Sequence, residues 1–166
     1  MKERFRWLAA AIAAHKDRTV VGRTRLQKEI KLLQRLGFPT EYTYTIFFYG
    51  PYSEGLNADV RLLESLGLVT ERKRRTRNDD TDYYIYQASP EAVIPEISQY
   101  EKPISVMEQA DAVVLELAAT YDAFRAMGSH HQDALNRLRR KKGTKCDDGN
   151  VAKALDLLRR LSLPTT

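Results

Sequence analysis

Five cations in six residues, Arg72, Lys73, Arg74, Arg75 and Arg77, are the sharpest chemical signal in this sequence. Arginine's planar fork of donors matches a phosphate edge. On a strand, Lys73 and Arg75 face one way and Arg72 and Arg74 the other. Neither face is then apolar, so such a strand lies exposed at a sheet edge. Cations there also block edge-to-edge aggregation. Mixed Lys and Glu would do that equally well, so an almost unmixed arginine run points to phosphate contact.

Two further sets could join it. Lys28, Lys31 and Arg35 lie opposite the apolar stripe Leu26, Ile30 and Leu33 at helical period, and with Arg23 and Arg25 they make a basic ridge. Asn57 and Arg61 sit on the exposed side of a helix that starts after Ser53, and their types can read base edges. Glu54, Asp59 and Glu64 make that same helix net negative, which phosphates repel. Seven of the nine tyrosines fall between Tyr42 and Tyr86. Interleaved with arginine they could stack on bases, although tyrosines in β-structure more often pack on the sheet. The run from Arg137 to Lys142 reads as a solvated helix end.

Catalytic constellations are missing from the pattern. His15, His130 and His131 are the only histidines, and adjacent residues do not share a helix face. Cys146 beside Asp147 and Asp148 matches no nucleophile or metal arrangement, and there is no glycine-rich phosphate loop. Asp79, Asp80 and Asp82 could be drawn as metal ligands, but a turn rich in Asn and Asp explains them more simply. The expectation is a protein without cofactor or metal, and not an enzyme.

The elements that must position the arginines follow from periodicity and breakers. A first helix is expected over about Lys2 to Lys16, with Phe5, Leu8, Ala9 and Ile12 inward. "DRTVVGR" reads as a connection. A second helix runs from a Thr24 cap to Gly37. "EYTYTIFFY" reads as a strand ended by Gly50-Pro51. Ser53 caps a third helix with core residues Leu56, Val60 and Leu63, closed by Gly67. Val69 to Arg75 and Tyr83 to Gln87 form a β-hairpin with a charged tip. Pro90 and Pro95 mark a boundary. Beyond it, "SVMEQADAVVLELAATYDAFRAMG" reads as one helix, followed by helices capped by Ser129 and Asn150.

Composition fits this picture: 166 residues, 43% hydrophobic, 30% charged, mean hydropathy −0.50 and one cysteine. No apolar run approaches membrane-spanning length, and the short apolar stretch after the N-terminal charges reads as a helix face, not a leader. Cytoplasmic location without a membrane partner is the expectation. Residues 1–89 carry 16 Lys and Arg against 11 Asp and Glu, and residues 90–166 carry 11 of each, so the whole net charge of +5 sits in the first part. That asymmetry suits an anionic partner.

Helix, helix, strand, helix and basic hairpin is the order of a winged helix-turn-helix. "GRTRLQKEIKLLQRLG" (22–37) and "YGPYSEGLNADVRLLESLGLV" (49–69) resemble the YwgA-like proteins and the related SocA-type antitoxin domain, called Panacea. Leu26-Gln27-Lys28 and Tyr49-Gly50-Pro51 occupy the places of that family's two motifs. The resemblance implies a winged-helix-like core and, from the antitoxin relatives, binding of a partner protein. The basic hairpin and the C-terminal helices depart from short antitoxin domains.

The fold class expected is therefore mainly α with a small β-hairpin: a winged helix-turn-helix core over 1–89 plus a C-terminal helical extension over 90–166. The first functional expectation is a regulatory or defence-associated protein that binds double-stranded DNA. The alternative is an antitoxin-like module that binds and neutralises or delivers a partner protein. A homodimer is expected from the apolar excess of Val106, Val113, Val114, Leu117, Tyr121 and Phe124, with Val151, Leu155, Leu158 and Leu161.

Overall fold

The computed structural model describes residues 3–78, 81–92 and 95–166. Asp79 and Asp80, two of the conceivable metal ligands, lie outside the described residues, as does Lys2. The architecture is mainly α with small antiparallel sheets.

Helix α1 (Arg4–Ala13) buries Leu8 to Ile12 completely. Asp17 and Arg18 adopt left-handed backbone angles and turn the chain into β1 (Thr19–Val21), where a connection was expected. Val20 and Val21 suit a strand, and their partner lies far along the chain. Helix α2 (Arg23–Arg35) starts after Gly22, not from a Thr24 cap, and ends at Gly37 as its spacing predicts. There Phe38 N–H reaches back to Leu33 C=O at 3.1 Å.

The aromatic run that follows is not one long strand. It is a tight hairpin of β2 (Thr45–Phe47) and β3 (Gly50–Tyr52), with Phe48 and Tyr49 at the turn. Gly50-Pro51 begins the second strand where it was expected to end the first. Ser53 then caps α3 (Glu54–Ser65), its hydroxyl accepting from Leu56 N–H at 3.2 Å. Leu56, Val60 and Leu63 point inward, and α3 packs on α1 and on the following strand. Strands β4 (Val69–Arg75) and β5 (Asp82–Ala88) form the basic hairpin, and β1 joins the free side of β5 to give the order β1-β5-β4.

The expected single helix after Pro95 is two, α4 (Ser98–Glu108) and α5 (Ala112–Ala126). Arg25 reaches the break from α2. It donates to Met107 C=O at 2.9 Å and Ala110 C=O at 2.5 Å, pairing carbonyls that a helix end leaves open. Helix α5 is buried on every side from Val114 to Phe124, and α2, β3, α6 (His131–Lys142) and α7 (Asn150–Arg160) pack around it. A helix covered all round is a core helix. The residue preceding α6 is His130, and Ser129 instead accepts from Arg137 at 2.8 Å. Helix α7 begins at Asn150 behind Gly149, and Asn150 donates from its side chain to Lys145 C=O.

One apolar core runs through both parts of the chain. Val106, Val114, Leu117, Tyr121, Phe124, Leu158 and Leu161 are buried in it, and Val113, Val151 and Leu155 pack against it. The apolar arc that motivated a dimer is thus covered within one chain. Among the described residues no helix is long and apolar enough to cross a membrane.

A buried charge network ties α1 to α2. His15 Nδ1 donates to Ala11 C=O at 2.7 Å and Nε2 to Glu29 at 2.5 Å, and Arg25 donates to the same carboxylate at 3.1 Å. Two acceptors call for both ring nitrogens to carry protons. Burial lowers the pKa of His15, but the hydrogen bond and charge of Glu29 and the Ala11 carbonyl outweigh it, and the net shift is upward.

Two expectations follow from this packing. Leu63 is fully buried, so Leu63→Ala should cost about 2–5 kcal/mol in denaturant titration; a midpoint equal to the parent's would show that α3 is not held through this side chain. A raised folded-state pKa gives His15 a contribution that is complete below its unfolded value, about 6.5, and lost as pH rises through the folded value. The stability gap between the parent and His15→Gln should therefore narrow as pH rises from about 6.5 through the higher folded value. A constant gap would mean that folding leaves the His15 pKa unshifted, and a gap that widens with pH would mean that the buried ring is neutral.

Candidate nucleic-acid interface

The register of β4 on β5 sorts the cations by face. Glu71, Lys73 and Arg75 share one face with Tyr86, Tyr84 and Asp82. Arg72 and Arg74 share the other with Ile85 and Tyr83, and Val21 of β1 extends that face beside Ile85. All five hairpin cations, Arg77 included, are exposed. They are not equivalent. Asp82 takes Lys73 at 2.9 Å and lies 3.9 Å from Arg75, and its hydrogen bond and charge hold the Lys73 ammonium above its ordinary pKa. Arg72 and Arg74 face Ile85 and Tyr83 across the pair, and Arg72 donates to the Gln87 amide oxygen at 3.5 Å.

Arg23 belongs to the hairpin rather than to a ridge. Its guanidinium stacks 4.0 Å from the Tyr84 ring centre and donates to the Tyr86 hydroxyl at 3.3 Å, with Glu71 at 4.0 Å.

The basic ridge expected on α2 does not form, because the C-terminal helices cover that side. Lys28 is 2% exposed, and its ammonium donates to Pro51 C=O at 2.6 Å. Arg25 is held by Glu29 and the end of α4, and Arg35 by Asp122 of α5 at 2.9 Å. Lys31 lies half-buried with its ammonium 5.6 Å from the Tyr44 ring centre, its pKa lowered by burial and by Arg35 against the pull of Asp122. On α3, Arg61 is exposed and Asn57 half-buried. Asp59 adds little repulsion: it is bonded to Arg4 at 2.7 Å and to the Tyr42 hydroxyl at 2.6 Å. Most tyrosines pack in the fold, with Tyr49 the exposed one at 61%.

The most tightly built site was hidden in the sequence. Gln27 clasps the main chain of Ser53 with both ends of its amide, donating to the carbonyl at 2.9 Å and accepting from N–H at 2.8 Å. Lys28 holds Pro51, while Lys142 donates to Phe48 C=O at 2.9 Å and lies 3.3 Å from Glu116. Lys145 pairs with the same Glu116 at 3.0 Å and sits 5.0 Å from the Tyr49 ring centre. Burial pushes the Lys28 ammonium down to about 8; Glu116 opposes this, and Lys142 and Lys145 add to it. The signal available in advance was only the pairing of Leu26-Gln27-Lys28 with Tyr49-Gly50-Pro51, and these two motifs turn out to hold each other.

Among the described residues no group of three His, Cys, Asp or Glu side chains could hold a metal ion.

No family model matches the chain. A stretch of 56 residues is 39% identical to YwgA of Bacillus subtilis (strain 168), an uncharacterised protein, over 34% of each chain. The chain thus spans about a third of the length of the curated relative it matches. That likeness accords with the YwgA-like resemblance of the two motifs and brings no activity with it.

Gly50 is where the clasp tolerates least. Its φ is +91°, and an added Cβ would stand 2.5 Å from Thr120 Oγ1 on α5. Gly50→Ala should cost about 1–3 kcal/mol from strain and overpacking, and Thr120→Ala in the same protein should restore the packing share. If Gly50→Ala melts with the parent, α5 does not press on the hairpin as described.

Proposed function

We propose that the chain is a winged-helix protein that binds nucleic acid through the β4–β5 hairpin. The element order supports it: α1, β1, α2, α3, β4, β5, with β1 completing a three-stranded sheet, is the order of that fold, and here the β2–β3 hairpin stands between α2 and α3. The observation that carries the reading is the charge state of the wing. Arg72 and Arg74 project from one face with Ile85 and Tyr83 opposite them, and Arg77 extends the exposed charge to the tip, whereas Lys28 is buried on the Pro51 carbonyl and Arg25 and Arg35 are paired with Glu29 and Asp122.

Such a surface positions a phosphate backbone rather than reading bases. Arg61 is the exposed cation of α3 that can add to it, and Glu54 and Glu64 on the same helix disfavour deep entry into a groove. Binding is then salt-sensitive and tolerant of sequence. Arg23, braced by Tyr84 and Tyr86, supports the wing from its other face.

The test is binding to random duplex DNA against salt concentration. Replacing Arg72, Arg74, Arg75 and Arg77 together with Ala should weaken binding to all sequences alike. Each lost phosphate contact flattens the log–log salt slope by about 0.9, so the slope should become shallower by roughly 2–4. An unchanged slope would remove the wing from the interface, and absence of duplex binding by the parent at low salt would sink the reading.

A further inference from the structure

The β2–β3 hairpin carries three features that neither the clasp nor the wing uses. Its tip exposes rings: Phe48 is 90% exposed and Phe47 49%, and Met127 at the end of α5 is 59% exposed. Clustered exposed apolar side chains mark contact surfaces.

The second feature is a strand edge. Phe47 pairs with Gly50 across the two-residue turn, and Thr45 with Tyr52. Hydrogen-bonded and open pairs alternate along an antiparallel ladder, and Ile46 falls on the open pair, opposite Pro51. Proline has no N–H to offer, and the Pro51 carbonyl is taken by Lys28. The N–H and C=O of Ile46 therefore point to the free side of β2.

The third feature is what lies on that side. A hollow of about 650 Å³ has Ile46, Phe124 and Met127 as its apolar walls and Arg137, Arg140 and Lys141 as cations, with no carboxylate among its lining residues. Arg137 is engaged by Ser129 and by the Phe124 ring, whereas Arg140 and Lys141 are exposed. Tyr44 separates this hollow from a second one of about 250 Å³ beside Lys31. The Tyr44 hydroxyl is buried and has no hydrogen-bond partner among the described residues, a destabilising state for a donor unless a ligand supplies an acceptor.

We propose that the β2 edge is a docking site for an extended acidic peptide segment of a partner protein. The segment adds as a strand to β2, sets an apolar side chain in the hollow and places carboxylates against Arg140 and Lys141. Strand addition takes its hold from main-chain hydrogen bonds and its selectivity from alternate side chains. A single-stranded nucleic acid meets the cations equally well, but its phosphodiester chain has no amide donor for the Ile46 carbonyl. The site shares no element with the wing.

Selection of a displayed library of random dodecapeptides on the full chain tests this, with the most enriched peptide then synthesised as a fluorescent probe. The expected winners alternate Asp or Glu with apolar residues. Arg140→Glu with Lys141→Glu, both on the surface of α6, should lower probe affinity tenfold or more. N-methylation of alternate probe amides should abolish binding in one register and spare it in the other. The wing variant lacking its four arginines should bind the probe as the parent does, which separates this site from the nucleic-acid reading. Enrichment of basic or of no particular peptides, affinity unchanged in the double variant, insensitivity to N-methylation, or stronger binding of a dodecamer of deoxythymidine at the same site would each overturn the proposal.

Discussion

The fold turns on a buried amide and a buried ammonium next to each other on α2. Gln27 fixes the main chain of Ser53 from both sides, which leaves the Ser53 hydroxyl to cap α3. Lys28 fixes Pro51 one step earlier. The start of α3 is thereby set relative to α2, and α3 leads through Gly67 directly into the β4–β5 hairpin. A buried ammonium is costly unless it is paired and hydrogen-bonded. Here the cost is met by a carbonyl at 2.6 Å and by the Glu116 carboxylate, which the same region shares with Lys142 and Lys145. Burial is the main reason that Lys28 releases its proton more easily than an ordinary lysine, and the neighbouring Lys142 and Lys145 ammonium groups add to it against the pull of Glu116.

This arrangement changes what the charge count means. The excess of Lys and Arg in residues 1–89 reads as a surface property, yet Arg35 pairs with Asp122, Arg25 divides its donors between Glu29 and the carbonyls of Met107 and Ala110, and buried Lys28 lies in the field of Glu116. The neutral part of the chain is the counter-charge and the carbonyl supply for the basic part. The densest run of exposed cations in residues 1–89 is the β4–β5 hairpin. Charge per segment is thus a poor guide to an anionic partner until the pairing is known, and the β4–β5 register, which gives Asp82 to Lys73 and Arg75 but nothing acidic to Arg72 or Arg74, is the better guide.

Local signals made much of this fold legible. The Ser53 cap, the stripe of α3, the Gly37 and Gly67 stops and both strands of the basic hairpin follow from residue types within a few positions of each other. The failures have one cause, a distant partner overriding a local preference. Three residues of β1 carry too little pattern to announce a strand, and their partners Ile85, Tyr86 and Gln87 are more than sixty positions away. Pro51 reads as a strand breaker, but its missing N–H falls on an open pair, where none is needed. The helix period placed Lys28 and Arg35 correctly opposite Leu26 and Leu33; it could not show that α5 lies on that side too. Nothing in "MEQADAV" marks the break between α4 and α5, because the group that satisfies its carbonyls is Arg25. Within the candidate site, the arginine run was plain from the sequence, whereas the clasp was visible only as two short motifs with no stated relation.

The two hairpins share a construction that bears on any surface use. Each is anchored by interior contacts beneath its exposed side chains. The β4–β5 hairpin is tied down by Val69, Tyr86 and Ala88, all buried, and by β1 along its edge. The β2–β3 hairpin is tied by Lys28, Lys142 and the close approach of Gly50 to Thr120. A strand pair of three residues alone has marginal stability in water, so its exposed rings keep their place only because the core grips the turn from below. Ordering a surface before it meets a partner lowers the entropy lost on contact. The polar groups buried beneath the β2–β3 hairpin therefore act at the surface as well: they hold its exposed rings in fixed register for whatever the surface meets.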